Sequence, residues 1–144
     1  MKRIIEGDQD YIDGIKVVQD NDEILEELLK GNTVLHWEFG DSMSPLIRNT
    51  EYCKISPCNP IDIHEGDAVF CDIEYEGQTY LMVHMVGKVS TASHEGCRWF
   101  QIVSTNGTIF GWTRNVYGKA VGTDIFQNAR YEDYYPSEEE DEES

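Results

Sequence analysis

The stretch AVFCDIEYEGQTYLMVHMV, residues 68–86, decides the fold class of this chain. It contains two runs of branched and aromatic residues, 68–75 and 78–86, separated only by Glu76-Gly77. Such runs favour β-strands, and glycine accepts the positive φ that a two-residue turn requires. The stretch therefore predicts a β-hairpin.

Further strands are predicted on both sides of this hairpin. Residues 33–39 are branched and aromatic and end at Gly40, and residues 98–103 are followed by a turn at Asn106-Gly107. Residues 117–122 have the pattern of a closing strand. Several short strands with few helices indicate a mainly β fold, a small coiled antiparallel sheet or partial barrel.

One helix is predicted near the N-terminus. Asn21 and Asp22 are candidate caps, acidic residues fill the first turn, and Gly31 can adopt the left-handed conformation that ends a helix. Four apolar side chains at i, i+1, i+4 and i+5 spacing are expected on its buried face: Ile24, Leu25, Leu28 and Leu29.

The chain of 144 residues is long enough for one domain. We expect an N-terminal arm with one or two short strands over 1–20, a β domain over 21–126 and an acidic tail over 127–144. Eight acidic side chains and no basic one lie between Tyr131 and Ser144, so the tail is expected to be disordered.

The net charge of −17 and the cysteine spacing exclude some functions. An acidic surface repels phosphate backbones, so no direct nucleic-acid binding is expected. The four cysteines form no paired CxxC motif, so we expect reduced thiols and no metal or other cofactor. The sequence shows neither an export signal nor a run of about 18 apolar residues, which predicts a cytoplasmic protein without membrane contact.

The segment Gly40-Asp41-Ser42-Met43-Ser44-Pro45 carries the candidate chemistry. Ser42 lies between a predicted strand end and a helical turn that Ser44-Pro45 can open, since proline suits the first turn of a helix. A serine at such a junction can face the same space as nearby backbone N–H groups, which is what an oxyanion site needs. The structural alternative is that Ser42 only caps the turn.

This segment resembles the G-x-S-M-x-P nucleophile box of the LexA and signal-peptidase superfamily. Three later blocks follow in the family's order over about residues 22–123. Glu65-Gly66-Asp67 precedes the hairpin, Val83-His84-Met85-Val86 stands where the family has its basic residue, and residues 106–122 resemble the C-terminal box, in a variety typical of phage-encoded members.

The resemblance implies the fold of the LexA C-terminal domain and a catalytic pair, with Ser42 as nucleophile and His84 as base. Histidine replaces the usual lysine, as in archaeal and endoplasmic-reticulum signal peptidases. The implied reaction is hydrolysis of a peptide bond through an acyl-enzyme. Protein or peptide partners follow from this activity.

The sequence also departs from the family pattern. Residues 104–106 read Ser-Thr-Asn where histidine variants carry an orienting aspartate, and residues 1–41 contain no Ala-Gly or Cys-Gly cleavage pair. The alternative hypothesis is therefore an inactive structural or interaction protein, such as a phage component that oligomerises and lies in the host cytoplasm or the virion. A third hypothesis is a DNA mimic, based on the charge.

Overall fold

The computed structural model describes residues 2–7, 9–37, 43–90 and 98–126. These ranges contain one α-helix, α1 (Asn21–Leu29), and a 3₁₀ turn at Pro60–Asp62. Ten strands follow along the chain: β1 (Arg3–Glu6), β2 (Gln9–Ile12), β3 (Ile15–Val17), β4 (Val34–His36), β5 (Glu51–Pro57), β6 (Ala68–Tyr75), β7 (Gln78–Ser90), β8 (Trp99–Val103), β9 (Ile109–Thr113) and β10 (Val116–Phe126).

All ten strands belong to one sheet in the order β1-β2-β3-β4-β5-β10-β6-β7-β8-β9. Every pair is antiparallel except β3–β4, which is parallel. The sheet is coiled. As a result, Phe110 of edge strand β9 makes an edge-to-face contact with Tyr75 of β6, with 6.2 Å between the ring centroids. The predicted mainly β fold with one helix is confirmed, and within the described ranges the sheet is not closed into a barrel.

The predicted hairpin is present as β6–β7. Its register runs from Tyr75↔Gln78 at the turn to Ala68↔Met85. Glu76 and Gly77 have φ angles of 51° and 80°, both positive as the right-handed strand twist favours in a two-residue turn. Strand β7 continues to Ser90, four residues beyond the predicted end.

The helix is where the sequence predicts it, with two differences. Its cap is Asp20, whose carboxylate accepts a hydrogen bond from the Glu23 N–H at 3.2 Å, and not Asn21 or Asp22. Leu29 was expected on the buried face but is 70% exposed, whereas Ile24 and Leu28 are buried. The buried face of the helix is therefore narrower than the four predicted apolar positions indicate.

The N-terminal residues form three strands, β1 to β3, where one or two were expected. They join the rest of the sheet through the parallel β3–β4 pair. Ile12 from this segment is fully buried in a cluster with Leu35 and Tyr52. The predicted tail, 127–144, lies outside the described residues.

Side chains along β6 and β7 pack alternately into two buried clusters, because successive side chains of a strand point to opposite faces of the sheet. The helix-side core lies under α1 and includes Ile24, Leu28, Met43, Ile47, Ile55, Phe70 and Val83. The outer core lies on the other face and contains Ile63, Val69, Cys71, Ile73, Val86, Phe100, Ile102 and Val116.

Candidate functional site

The turn at residues 43–47, which begins within the candidate segment 40–45, is anchored in the helix-side core. Met43 and Ile47 are both buried there, and the Ile47 N–H donates to the Met43 carbonyl at 2.9 Å. This hydrogen bond closes a turn that contains the cis Ser44-Pro45 peptide bond. The turn belongs to neither of the two described helical segments, so the predicted helical turn after Ser44-Pro45 is not formed. Ser42 itself lies outside the described residues, so its predicted role stays a prediction.

His84 lies in the middle of β7 and pairs with Val69 of β6. Its strand neighbours Met82 and Val86 pack in the outer core, whereas Val83 packs in the helix-side core. Because side chains alternate along a strand, the imidazole lies on the outer-core face of β7. His84 is half-buried there.

An aromatic contact fixes the His84 ring. The imidazole stacks on Phe110 with 4.6 Å between ring centroids and 22° between planes. The Nδ1 atom of His84 is buried, and Tyr75 packs edge-on against the same Phe110. We call His84, Phe110 and Tyr75 the aromatic stack; such packing restricts the rotation of the imidazole.

The chain neighbours of Ser42 and His84 belong to one buried cluster. Met43 follows Ser42, Val83 precedes His84, and both are members of the helix-side core. Residues that flank the two candidate positions therefore pack in the same core. The His84 ring points away from Val83 to the other face of that strand.

The segment 104–106, where the family pattern has an orienting carboxylate, directly follows strand β8. Met85 pairs with Val103, so His84 and Ser104 are the next residues along the two chain segments. Ser104 is buried, its hydroxyl donates to the Asn106 side-chain oxygen, and it accepts from the Thr108 N–H at 3.2 Å. A hydroxyl thus stands where the family pattern has an aspartate.

A buried carboxylate fixes the far end of the turn that follows Met43. Glu51 is 2% exposed and accepts hydrogen bonds from the Arg48 N–H at 2.9 Å and from Arg48 Nε and Nη2, both at 3.3 Å. The Asp124 N–H of β10 donates to it at 2.6 Å, and Arg48 Nη2 also donates to the Asp124 carboxylate. We call Arg48, Glu51 and Asp124 the Glu51 clamp.

The clamp keeps its carboxylate ionised. Burial raises the pKa of Glu51, but the hydrogen bonds from Arg48 and Asp124 outweigh burial, so the pKa of Glu51 lies below its ordinary value. Gly122 provides the space for the carboxylate, since a Cβ there would lie 2.7 Å from Glu51 Oε2. Arg48 also lies over the Phe126 ring, 4.9 Å from its centroid.

A second surface lies on edge strand β9 and its neighbour β8. Trp99 and Trp112 are 37% and 44% exposed, and the Arg114 guanidinium lies over the Trp99 ring at 5.6 Å. From residue 78 to residue 123 the sequence contains one acidic residue, Glu95, although the whole chain has 28. The two strands of this tryptophan surface therefore lie in a stretch of sequence with few acidic residues.

The cysteines and other potential ligands do not form a metal site in the part of the chain that the structure describes. Cys53, Cys58 and Cys71 are not in disulfides, and no three His, Cys, Asp or Glu side chains cluster there. Burial raises the pKa of the Cys71 thiol to about 12. Cys97 is outside the described residues.

Three residues of this region were not predicted from the sequence: Phe110, Arg48 and Glu51. The contact of Phe110 with His84 depends on the coiling of the sheet. The i, i+3 spacing of Arg48 and Glu51 was the available signal for an ion pair. Nothing local indicates that Asp124 completes it from 73 residues away.

Comparison of the chain with protein-family models, curated proteins and solved structures finds no significant match. Within the described ranges, no helix is long and apolar enough to cross a bilayer. The LexA-like resemblance therefore depends on the sequence blocks alone.

Proposed function

We propose that this chain is a serine peptidase-like hydrolase in which Ser42 is the nucleophile and His84 the general base. The observation that supports the proposal is the shared burial of Met43 and Val83 in the helix-side core. These residues are the chain neighbours of Ser42 and His84, so residues next to both candidate positions pack in one core. A nucleophile and a base must lie close together for the base to activate the hydroxyl.

In this mechanism His84 accepts the Ser42 proton while the serine oxygen attacks the carbonyl carbon of a peptide bond. Backbone N–H groups near Ser42 stabilise the negative oxygen of the tetrahedral intermediate. The intermediate collapses to an acyl-enzyme when the amine leaves with the proton from the imidazolium. Water, activated by His84, then hydrolyses the ester and restores the serine hydroxyl.

The aromatic stack substitutes for part of the missing carboxylate in this proposal. An orienting aspartate normally holds a catalytic imidazole in one tautomer and one direction. Here the Phe110 face restricts the ring and the His84 Nδ1 is buried. Stacking does not select the tautomer as strongly as a carboxylate, so we expect slow turnover.

Labelling with a fluorophosphonate probe tests the proposal, because such probes phosphonylate activated serines. We expect the wild-type protein to be labelled at Ser42, Ser42→Ala to abolish labelling, and His84→Gln to slow it by about 100-fold or more. Ser44→Ala is the matched control within the same box and should retain labelling. Peptide mapping by mass spectrometry locates the adduct. Undiminished labelling of Ser42→Ala, or equal rates in wild type and His84→Gln, would contradict the proposal.

The tryptophan surface favours a second candidate function, the binding of an extended peptide from a partner protein or a second copy. Among the described residues, β9 is the last strand of the sheet, and exposed tryptophans beside an arginine are typical of binding hot spots. Light scattering on size-exclusion fractions tests self-association. We expect Trp112→Ser to abolish it and Ser42→Ala to leave it unchanged; the reverse pattern would contradict this candidate.

A further inference from the structure

We infer that Arg48 and Glu51 are positioning residues of the proposed site, because the Glu51 clamp holds the turn after Ser42 against the sheet that carries His84. This inference depends on the proposed function. It assigns no contact between the clamp and a substrate.

The turn after Ser42 is held at its start and at its end. Its start is fixed by the burial of Met43, and its end by Glu51, to which the Arg48 N–H and side chain both donate. The Glu51 N–H in turn donates to the Arg48 carbonyl at 2.9 Å. Both ends of the segment that follows Ser42 are therefore restrained.

The clamp also connects the turn to His84. Asp124 lies in β10, whose earlier residues pair with both β5 and β6, and β6 pairs with β7 across His84. Hydrogen bonds from Asp124 to Glu51 and from Arg48 to Asp124 tie the turn to this central strand. The turn is thus linked through β10 and β6 to β7, the strand that carries His84.

The clamp leaves little space for larger side chains around the Glu51 carboxylate. Gly122 leaves no room for a methyl group beside the carboxylate. Thr50, directly before Glu51, has a φ of 62°, which is unfavourable for a β-branched residue. Strained residues of this kind persist where their surroundings hold them, and they concentrate at functional sites.

The chemistry of the clamp also indicates positioning. Apolar replacement of a buried ion pair is often neutral or stabilising, so such pairs are weak evidence for a contribution to stability alone. Hydrogen bonds to a fixed carboxylate are directional and short, which restricts geometry more than apolar packing does. The clamp therefore suits a role in precise placement of the turn.

The test combines amide hydrogen exchange with fluorophosphonate labelling in full-length Glu51→Gln. We expect exchange of the amides in residues 43–50 to rise about tenfold or more, since hydrogen bonds to a charged group are lost, while the hairpin 68–86 is unchanged. The first-order labelling rate at saturating probe should fall about tenfold, with an unchanged half-saturating probe concentration.

Glu27→Gln is the matched control. Like Glu51, Glu27 accepts a hydrogen bond from a basic side chain, that of Lys16, and its second donor is the side-chain amide of Asn32. Glu27→Gln should change neither exchange in 43–50 nor labelling. If Glu51→Gln does not fold, Arg48→Lys replaces it: the charge and the backbone donor remain, but the guanidinium fork is lost, and the same two effects are expected.

Each outcome decides one part of the inference. Unchanged exchange in 43–50 would overturn the anchoring role of the clamp. Faster exchange with an unchanged labelling rate would overturn the positioning role and leave the clamp as a purely structural feature. An unlabelled wild-type protein would contradict the proposed function instead, and the exchange result would then decide the anchoring alone.

Discussion

The Glu51 clamp and the aromatic stack restrain the two halves of the proposed site by different physical means. The clamp holds a turn with hydrogen bonds to an ionised, buried carboxylate, whereas the stack holds the His84 ring against Phe110 by dispersion and apolar burial. The first is directional and depends on the ionisation of Glu51. The second is less directional. One small sheet thus fixes a main-chain segment and a ring by two different interactions.

The largest effect is expected from removing the space on which the clamp depends. In Gly122→Ala, the added Cβ would displace the Glu51 carboxylate from its donors, so we expect a loss of about 3 kcal/mol in the free energy of unfolding. Urea denaturation measures this. Val121→Ala is the control at the neighbouring, half-exposed position and should cost under about 1 kcal/mol. Equal losses in both variants would show that the clamp has no special geometric demand.

A smaller effect is expected from removing the stack. Phe110→Ala removes the face against which His84 and Tyr75 pack, and for a half-buried ring we expect a loss of about 2 kcal/mol. Urea denaturation measures this loss. Trp112→Ala, an exposed aromatic residue on the same strand, is the control and should cost less. Equal losses in both variants would show that the stack contributes no more than an exposed aromatic side chain.

The pH dependence of the clamp gives the smallest expected effect. The pKa of Glu51 is lowered in the folded protein, so its contribution is fully present above the unfolded value of about 4.3 and is lost as the pH falls through the folded value. Glu51→Gln should therefore cost about 1.5 kcal/mol at pH 7, and the difference from wild type should shrink below about pH 4. Denaturation of both proteins at several pH values measures it. A constant difference down to pH 3 would show that the charge of Glu51 is not what stabilises the clamp.

Local sequence signals predicted the elements that local chemistry determines. The β6–β7 hairpin follows from two apolar runs around Glu76-Gly77, and α1 follows from its capping and leucine pattern. The choice of Asp20 over the adjacent Asn21 and Asp22 as cap was not predictable, because all three side chains can accept the same hydrogen bond.

Strands β5 and β9 were not predicted, for identifiable reasons. In β5 the exposed Lys54 and the half-buried Ser56 interrupt the apolar pattern, and β9 is five residues long with Gly111 at its centre. Of the candidate site, Ser42 and His84 came from the resemblance. The contacts of Phe110 and Asp124 depend on sheet register and coiling, which no local pattern specifies.

The parallel β3–β4 pair has a consequence for truncated forms of the chain. In the described structure, β1 to β3 cover the backbone groups of β4 that would otherwise end the sheet, and β1 itself is a four-residue strand beside Lys2. A short, charged outer strand discourages strand addition between molecules. A chain shortened by residues 2–17 would expose the edge of β4, whose three residues are all buried in the described structure, and we expect it to aggregate during purification even if the rest of the sheet folds.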